Sequence, residues 1–142
     1  MVTDALLKKY PIISDQIEPR ELRVLLLALE TQLKAGTVRN VVELGCYVGT
    51  TSLFIRRLLD AYNFVGEFHV YDSFAGLPPK TREDQSVAGD QFVTGELHAS
   101  RKGFVDNFKK AGLRLPIIHK GWFSDLVVDD IPSSVSFAFF DG

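Results

Sequence analysis

The chain has 142 residues, enough for one ordinary domain and too few for two. Hydrophobic residues make up 46% and charged residues 24%, a soluble globular mixture that excludes a disordered tail or a collagen-like fibre. Lys and Arg total 16 against 18 for Asp and Glu, a formal net charge of -2, so no basic excess exists to neutralise a nucleic-acid backbone.

The first residues, Met1 to Tyr10, carry Asp4, Lys8 and Lys9 where a signal peptide needs an apolar stretch. No later run approaches the roughly 20 apolar residues of a membrane span. Cys46 is the only cysteine, which rules out an internal disulfide framework and agrees with a reducing compartment. The expectation is a soluble, unprocessed, cytoplasmic protein. Residues 1–38 are read as an N-terminal helical cap on a single domain spanning 1–142. Its clear element starts at Pro19, carries Leu22, Leu25, Leu26, Leu29 and Leu33 on one stripe, and stops at Gly36.

Asn40 to Leu44 is a short apolar run that meets Gly45 abruptly, and after Gly49 the period becomes helical through Leu53, Ile55, Leu58 and Leu59. With a second strand at Glu67 to Asp72, this is a βαβ unit, whose strands must be parallel. A looser repeat follows: a helix near Ser100 to Ala111, a strand at Pro116 to His119, a short helix from Trp122, and a strand at Val135 to Phe140. The architecture is α/β. Between the second strand and the next helix, Ser73 to Ala99 is long for a βα connection, and its proline, glycine and charge content reads as a lid.

In open parallel sheets ligands sit beyond the carboxyl ends of the strands. The first such place is Glu43-Leu44-Gly45-Cys46-Tyr47-Val48-Gly49-Thr50-Thr51-Ser52. A dinucleotide fingerprint wants glycine where Tyr47 stands, and a phosphate loop wants lysine where Thr50 stands, which count against NAD and against ATP or GTP. S-adenosylmethionine (SAM) has no phosphate. Gly45 and Gly49 let backbone approach its methionine end, Glu43 answers its ammonium, and the helix start at Thr50 meets its carboxylate. Asp72, ending the second strand, can accept hydrogen bonds from both ribose hydroxyls. The plainer reading is an ordinary βα turn with Asp72 as a local cap; strand context, Glu43 and Asp72 together favour a ligand.

Four words then occur in order: Val42 to Ser52, Asp72-Ser73-Phe74-Ala75-Gly76-Leu77-Pro78, Gly121-Trp122-Phe123-Ser124-Asp125, and Phe139-Phe140-Asp141-Gly142. From about Val41 onward the chain resembles the macrocin O-methyltransferase family, class I SAM-dependent enzymes that methylate sugar hydroxyls of natural products. The resemblance implies a Rossmann-like parallel sheet flanked by helices, with the C-terminal strands missing from these residues. It implies a cofactor site of Glu43, Gly45, Tyr47, Gly49, Thr50, Thr51, Ser52, Asp72, Ser73, Gly121 and Trp122, the last two beside the adenine. It also implies Mg2+ on Asp141, the first aspartate of the family's D-G-D segment. The second aspartate, a general base, and further acidic ligands would lie beyond Gly142. The expected function is SAM-dependent, magnesium-assisted O-methylation of a sugar or other small natural-product acceptor. The alternative is a SAM-binding module or truncated remnant without turnover. Neither nucleic acid nor membrane is an expected partner, and an unpaired apolar edge at Val135 to Phe140 points to homo-oligomers and to a longer natural protein.

Other residues carry plainer expectations. Trp122 is core filling or an adenine neighbour, and Cys46 is a small buried side chain rather than a nucleophile. His69 and His119 are core or rim histidines, His98 is a solvated loop residue, and Lys109, Lys110 and Arg114 are solvated charge near a helix end.

Overall fold

The computed structural model describes residues 1–75 and 100–141. Four strands, β1 (Asn40–Leu44), β2 (Phe68–Asp72), β3 (Ile117–Lys120) and β4 (Val135–Phe140), form one sheet in the order β3-β2-β1-β4. All its pairings are parallel, as the βαβ reading requires. Strand order reverses at β1, since β2 lies on one side of it and β4 on the other. The crevice beyond the carboxyl ends of β1 and β4 is therefore the topological switch point, where α/β sheets bind ligands.

Among the described residues four α-helices accompany the sheet: α1 (Val2–Lys9), α2 (Pro19–Ala35), α3 (Thr50–Ala61) and α4 (Arg101–Ala111). Pro19 occupies the first turn of α2, and Gly36 ends it in the left-handed region at φ 72°. Ser100 caps α4, its Oγ accepting from Gly103 N at 2.9 Å. Leu22, Leu26 and Leu29 of α2, Ile55, Leu58 and Leu59 of α3, Phe68 and Val70 of β2, and Phe104 and Phe108 of α4 are buried in one core.

Helix α1 has no counterpart in the sequence reading, which treated the N-terminus only as part of a cap. Its anchor is Glu30 of α2, fully buried, whose carboxylate accepts from Val2 N (2.9 Å), Thr3 N (3.0 Å) and the Tyr62 hydroxyl. A negative charge thus sits at the N-terminus of α1, where the helix dipole favours it. Burial alone would raise the Glu30 pKa, but these donors hold it down at about 2. Glu30→Gln is expected to cost about 2 kcal/mol, the scale of a lost hydrogen bond to a charged group. A folded pKa below the unfolded 4.5 means that the stabilisation is full above pH 4.5 and is lost as pH falls toward 2. Urea melts of the two proteins should accordingly converge in acid.

The sequence expectations for β1, β2 and β4 differ from the structure by at most one residue, whereas the short helix expected from Trp122 is two 3-10 turns, Phe123–Asp125 and Val128–Asp130. Leu126 and Val127 between them are extended, and the β-branched Val127 and Val128 disfavour a continuous helix. Strand β4 pairs with β1 and has no partner on its other edge among the described residues. Phe140 is 71% exposed there. Of the segment read as a lid, 76–99 lies outside the described residues, as does His98. No described helix is long and apolar enough to cross a membrane.

Candidate cofactor site

The turn after β1 is built from backbone that side chains resist. Gly45 has φ 92° and Gly49 φ 94°, in the left-handed region where a Cβ is strained. Gly49 also lies against α4, where an added Cβ would stand 3.0 Å from the Phe104 ring. Between the glycines Tyr47 is left-handed as well, at φ 49°. Gly45 N donates to Tyr71 O (2.8 Å) and Gly49 N to Cys46 O (2.8 Å), which closes the loop.

Asp72, only 6% exposed, holds this loop in shape. Its Oδ2 accepts from Cys46 N (3.0 Å) and Tyr47 N (2.9 Å), and its Oδ1 accepts from Phe74 N (2.9 Å). Phe74 is the other left-handed residue in contact with it, at φ 54°. One carboxylate therefore secures two strained non-glycine residues on two different loops. An ionised carboxylate has about four acceptor sites, and three are in use, which narrows what Asp72 can offer an incoming hydroxyl pair.

Behind the turn lies Glu43 of β1, fully buried. Its Oε1 accepts from Ser52 Oγ of α3, while its Oε2 has no hydrogen-bond partner among the described residues. Burial lifts its pKa to about 8; the Ser52 bond lowers it, and the negative charges of Asp141 and Asp72 raise it further. Burial likewise raises the pKa of Asp141, with Glu21 of α2 adding to it, and pushes the Cys46 thiol up, so Cys46 is the inert buried side chain expected. Asp141 N donates to Leu44 O (2.8 Å), and the Tyr47 hydroxyl donates to Asp141 O (3.0 Å), tying the end of β4 to the glycine turn. Three acidic side chains thus interact electrostatically around one turn, and a cation there would favour their ionised forms.

A narrow recess opens at this point, lined by Gly45, Tyr47, Thr50, Thr51 and Asp141 and, from the segment between α1 and α2, by Ser14, Gln16 and Ile17. These last residues escaped the sequence reading, which had no motif to find them by. Ser14 Oγ bonds Thr50 Oγ1 at 2.6 Å, and among the described residues the buried Gln16 Oε1 has no partner and no side chain caps the N-terminus of α3. Gly121 N donates to Asp72 O (2.9 Å), which draws the end of β3 to the end of β2, and Ser73 Oγ accepts from Ala75 N (3.2 Å). Trp122 follows at the rim, 39% exposed and outside the core cluster, so it does not fill the core. Among the described residues no three His, Cys, Asp or Glu side chains converge as a metal site. Asp141 alone does not satisfy Mg2+, which needs several oxygen ligands.

The sequence profile of the Macrocin-O-methyltransferase (TylF) family matches residues 13–142. The chain belongs to this family. No curated protein matches it. Among solved structures, the O-methyltransferase NovP is similar at 22% identity and TM-score 0.66, over 85% of this chain and 52% of NovP. The SAH-bound Podospora anserina methyltransferase PaMTH1 is similar at 15% identity and TM-score 0.53, over 99% of this chain and 47% of PaMTH1. CalS11, a calicheamicin methyltransferase, is similar at 15% identity and TM-score 0.58, over 99% of this chain and 64% of CalS11. The fold is thus the Rossmann-like sheet of methyltransferases, and the chain spans about half to two-thirds of the length of these three proteins.

Proposed function

We propose that the chain is one SAM-binding domain with an N-terminal helical cap, from a SAM-dependent O-methyltransferase acting on a small natural-product hydroxyl, a sugar among the acceptors that the family name favours. The observation that carries this reading is the fully buried Glu43, with its unpartnered Oε2, behind a glycine turn that Asp72 holds open. Buried unpartnered acceptors disfavour the empty state and favour a donor-bearing cation. When bound, SAM supplies an electrophilic methyl group on a sulfonium. Glu43 and Gln16 would accept from the ammonium, Thr50 and Thr51 at the start of α3 would receive the carboxylate, and the remaining acceptor site of Asp72 would take a ribose hydroxyl. Ser52 would keep Glu43 oriented, Ser73 would border the ribose, and Gly121 and Trp122 would border the adenine. Asp72 and Asp141 also oppose the pyrophosphate of NAD, in line with Tyr47 standing where that cofactor needs glycine.

Titrating the chain with SAM and with NADH while following the fluorescence of Trp122, the only tryptophan, tests the reading. Saturable quenching by SAM and none by NADH is expected; the reverse would overturn it. The magnesium part of the proposal rests on Asp141 alone, so no step is routed through the metal. A SAM-binding module without turnover is the second reading, since Asp141 is the one residue here that matches a metal ligand of the family. A methyl-transfer assay with and without Mg2+ separates the two. We further propose a cytoplasmic protein, and expect residues 1–142 taken by themselves to self-associate through the β4 edge, which has no second partner among the described residues. Sedimentation should show oligomers that Phe140→Lys disperses, since a charge on an exposed edge opposes strand pairing.

A further inference from the structure

At the opposite end of the sheet from the glycine turn, below the starts of β2 and β3, lies a cavity of about 250 Å³. Arg56, Phe68, Arg114, Leu115, Ile117 and Glu67 line it. Arg56 projects from α3 amid the buried Ile55, Leu58 and Leu59 of the same helix and is 2% exposed. Its Nε donates to Arg114 O at 3.1 Å, its guanidinium lies 5.4 Å from the Phe68 ring centroid, and its Nη1 has no hydrogen-bond partner among the described residues. Asp60, half exposed and one turn along α3, forms an ion pair with Nη1 at 3.9 Å, too long for a hydrogen bond. A buried guanidinium with a free donor is costly, because charged groups out of water require partners.

Two further charges border the cavity. Arg114 is exposed and close enough for its positive charge to disfavour that of Arg56. Glu67 is engaged elsewhere, its Oε1 3.2 Å from His69 Nε2 and its amide bonded to Asn40 Oδ1. The remaining wall is apolar. A lining that combines Arg56 and Arg114 with Phe68, Leu115 and Ile117 matches an anion with a compact hydrophobic body, and the volume lies below that of a typical drug-sized pocket.

We propose that this cavity binds a small organic oxyanion, with its carboxylate or phosphate on Arg56 and Arg114 and its apolar body against Phe68, Leu115 and Ile117. Guanidinium suits both headgroups through paired N–H donors. The site is separate from the cofactor turn, so it stands whether or not SAM binds.

Amide NMR titrations of the chain with benzoate, phenyl phosphate and benzyl alcohol test it. Saturable shifts at Phe68 and Ile117 are expected with one or both anions, the tighter identifying the headgroup, and none with the neutral alcohol. Arg114→Gln, at an exposed position that leaves the fold intact, should weaken binding about tenfold, as for one charge-assisted hydrogen bond. Arg56→Met should abolish it. Glu67→Gln should tighten it severalfold by removing a like charge, a gain that damaged folding would not produce. Absence of binding by both anions, an equal response to benzyl alcohol, or unchanged affinity in Arg114→Gln would overturn the proposal.

Discussion

Glu43→Gln is expected to raise the melting temperature above pH 8 by about 10 °C while weakening SAM binding by tenfold or more. The stability gain follows from the burial of this carboxyl, which lifts its pKa from 4.5 to about 8, with the Ser52 bond opposing and Asp141 and Asp72 reinforcing the shift. A folded pKa above the unfolded one means that the folded state holds the proton more tightly. Stability is therefore highest below pH 4.5, falls as pH rises toward 8, and levels off above it, the full cost being roughly 3–5 kcal/mol. Glutamine keeps an oxygen for Ser52 and cannot ionise. Melts of the two proteins should coincide near pH 4.5 and separate with rising pH, and parallel curves would remove Glu43 as the source of the slope. Binding carries the opposite sign. An ammonium favours the ionised carboxylate, so near neutrality SAM binding should release a proton from Glu43. Calorimetry in buffers of different ionisation enthalpy measures that release, and Glu43→Gln should abolish it.

What the sequence showed and what it hid divide along physical lines. Elements whose burial follows a simple period were legible: the α2 leucines, the apolar β1 run into Gly45, and β4. So was the placement of Glu43, Gly45, Tyr47, Gly49, Asp72 and Asp141 around one turn, because parallel strands gather their carboxyl ends. Partnerships between distant side chains were not. Glu30 matched no motif and had no reading from the sequence, yet it anchors α1 through groups far away in sequence. His69 and His119 read as unrelated, but their imidazoles bond at 2.8 Å across β2 and β3 and stack with Tyr71. Arg114 reads as solvated charge, and only the fold sets it beside the buried Arg56. Asp72 lies between these cases. Its position was predictable from strand context, but its threefold bonding to backbone depends on loop conformations that no spacing reveals.

That bonding sets the expected result for Asp72→Ala, which should lower stability by about 4–6 kcal/mol, a large fraction of what a domain of this size possesses. Each lost bond to the carboxylate is worth roughly 1.5–3 kcal/mol, and the three amides of Cys46, Tyr47 and Phe74 would be left without their acceptor in a region only slightly exposed. Tyr47 and Phe74 would also lose what holds them at positive φ. Loss of SAM affinity in this variant would therefore report the collapse of the turn together with any contact to ribose. Asp72→Asn divides the two, since its one carbonyl oxygen can serve either the turn amides or Phe74 N, and an intermediate loss of stability is expected. A double-mutant cycle locates the strain. In wild type, Tyr47→Gly costs the bond from the Tyr47 hydroxyl to Asp141 O, whereas in Asp72→Ala it also removes a left-handed side chain that nothing restrains. Tyr47→Gly should then be about 1 kcal/mol less damaging in the Asp72→Ala background than in wild type. Urea melts of the four proteins measure this coupling. Strict additivity, or an Asp72→Ala protein as stable as wild type, would show that the turn holds its shape without the carboxylate and would return Asp72 to a role in binding alone.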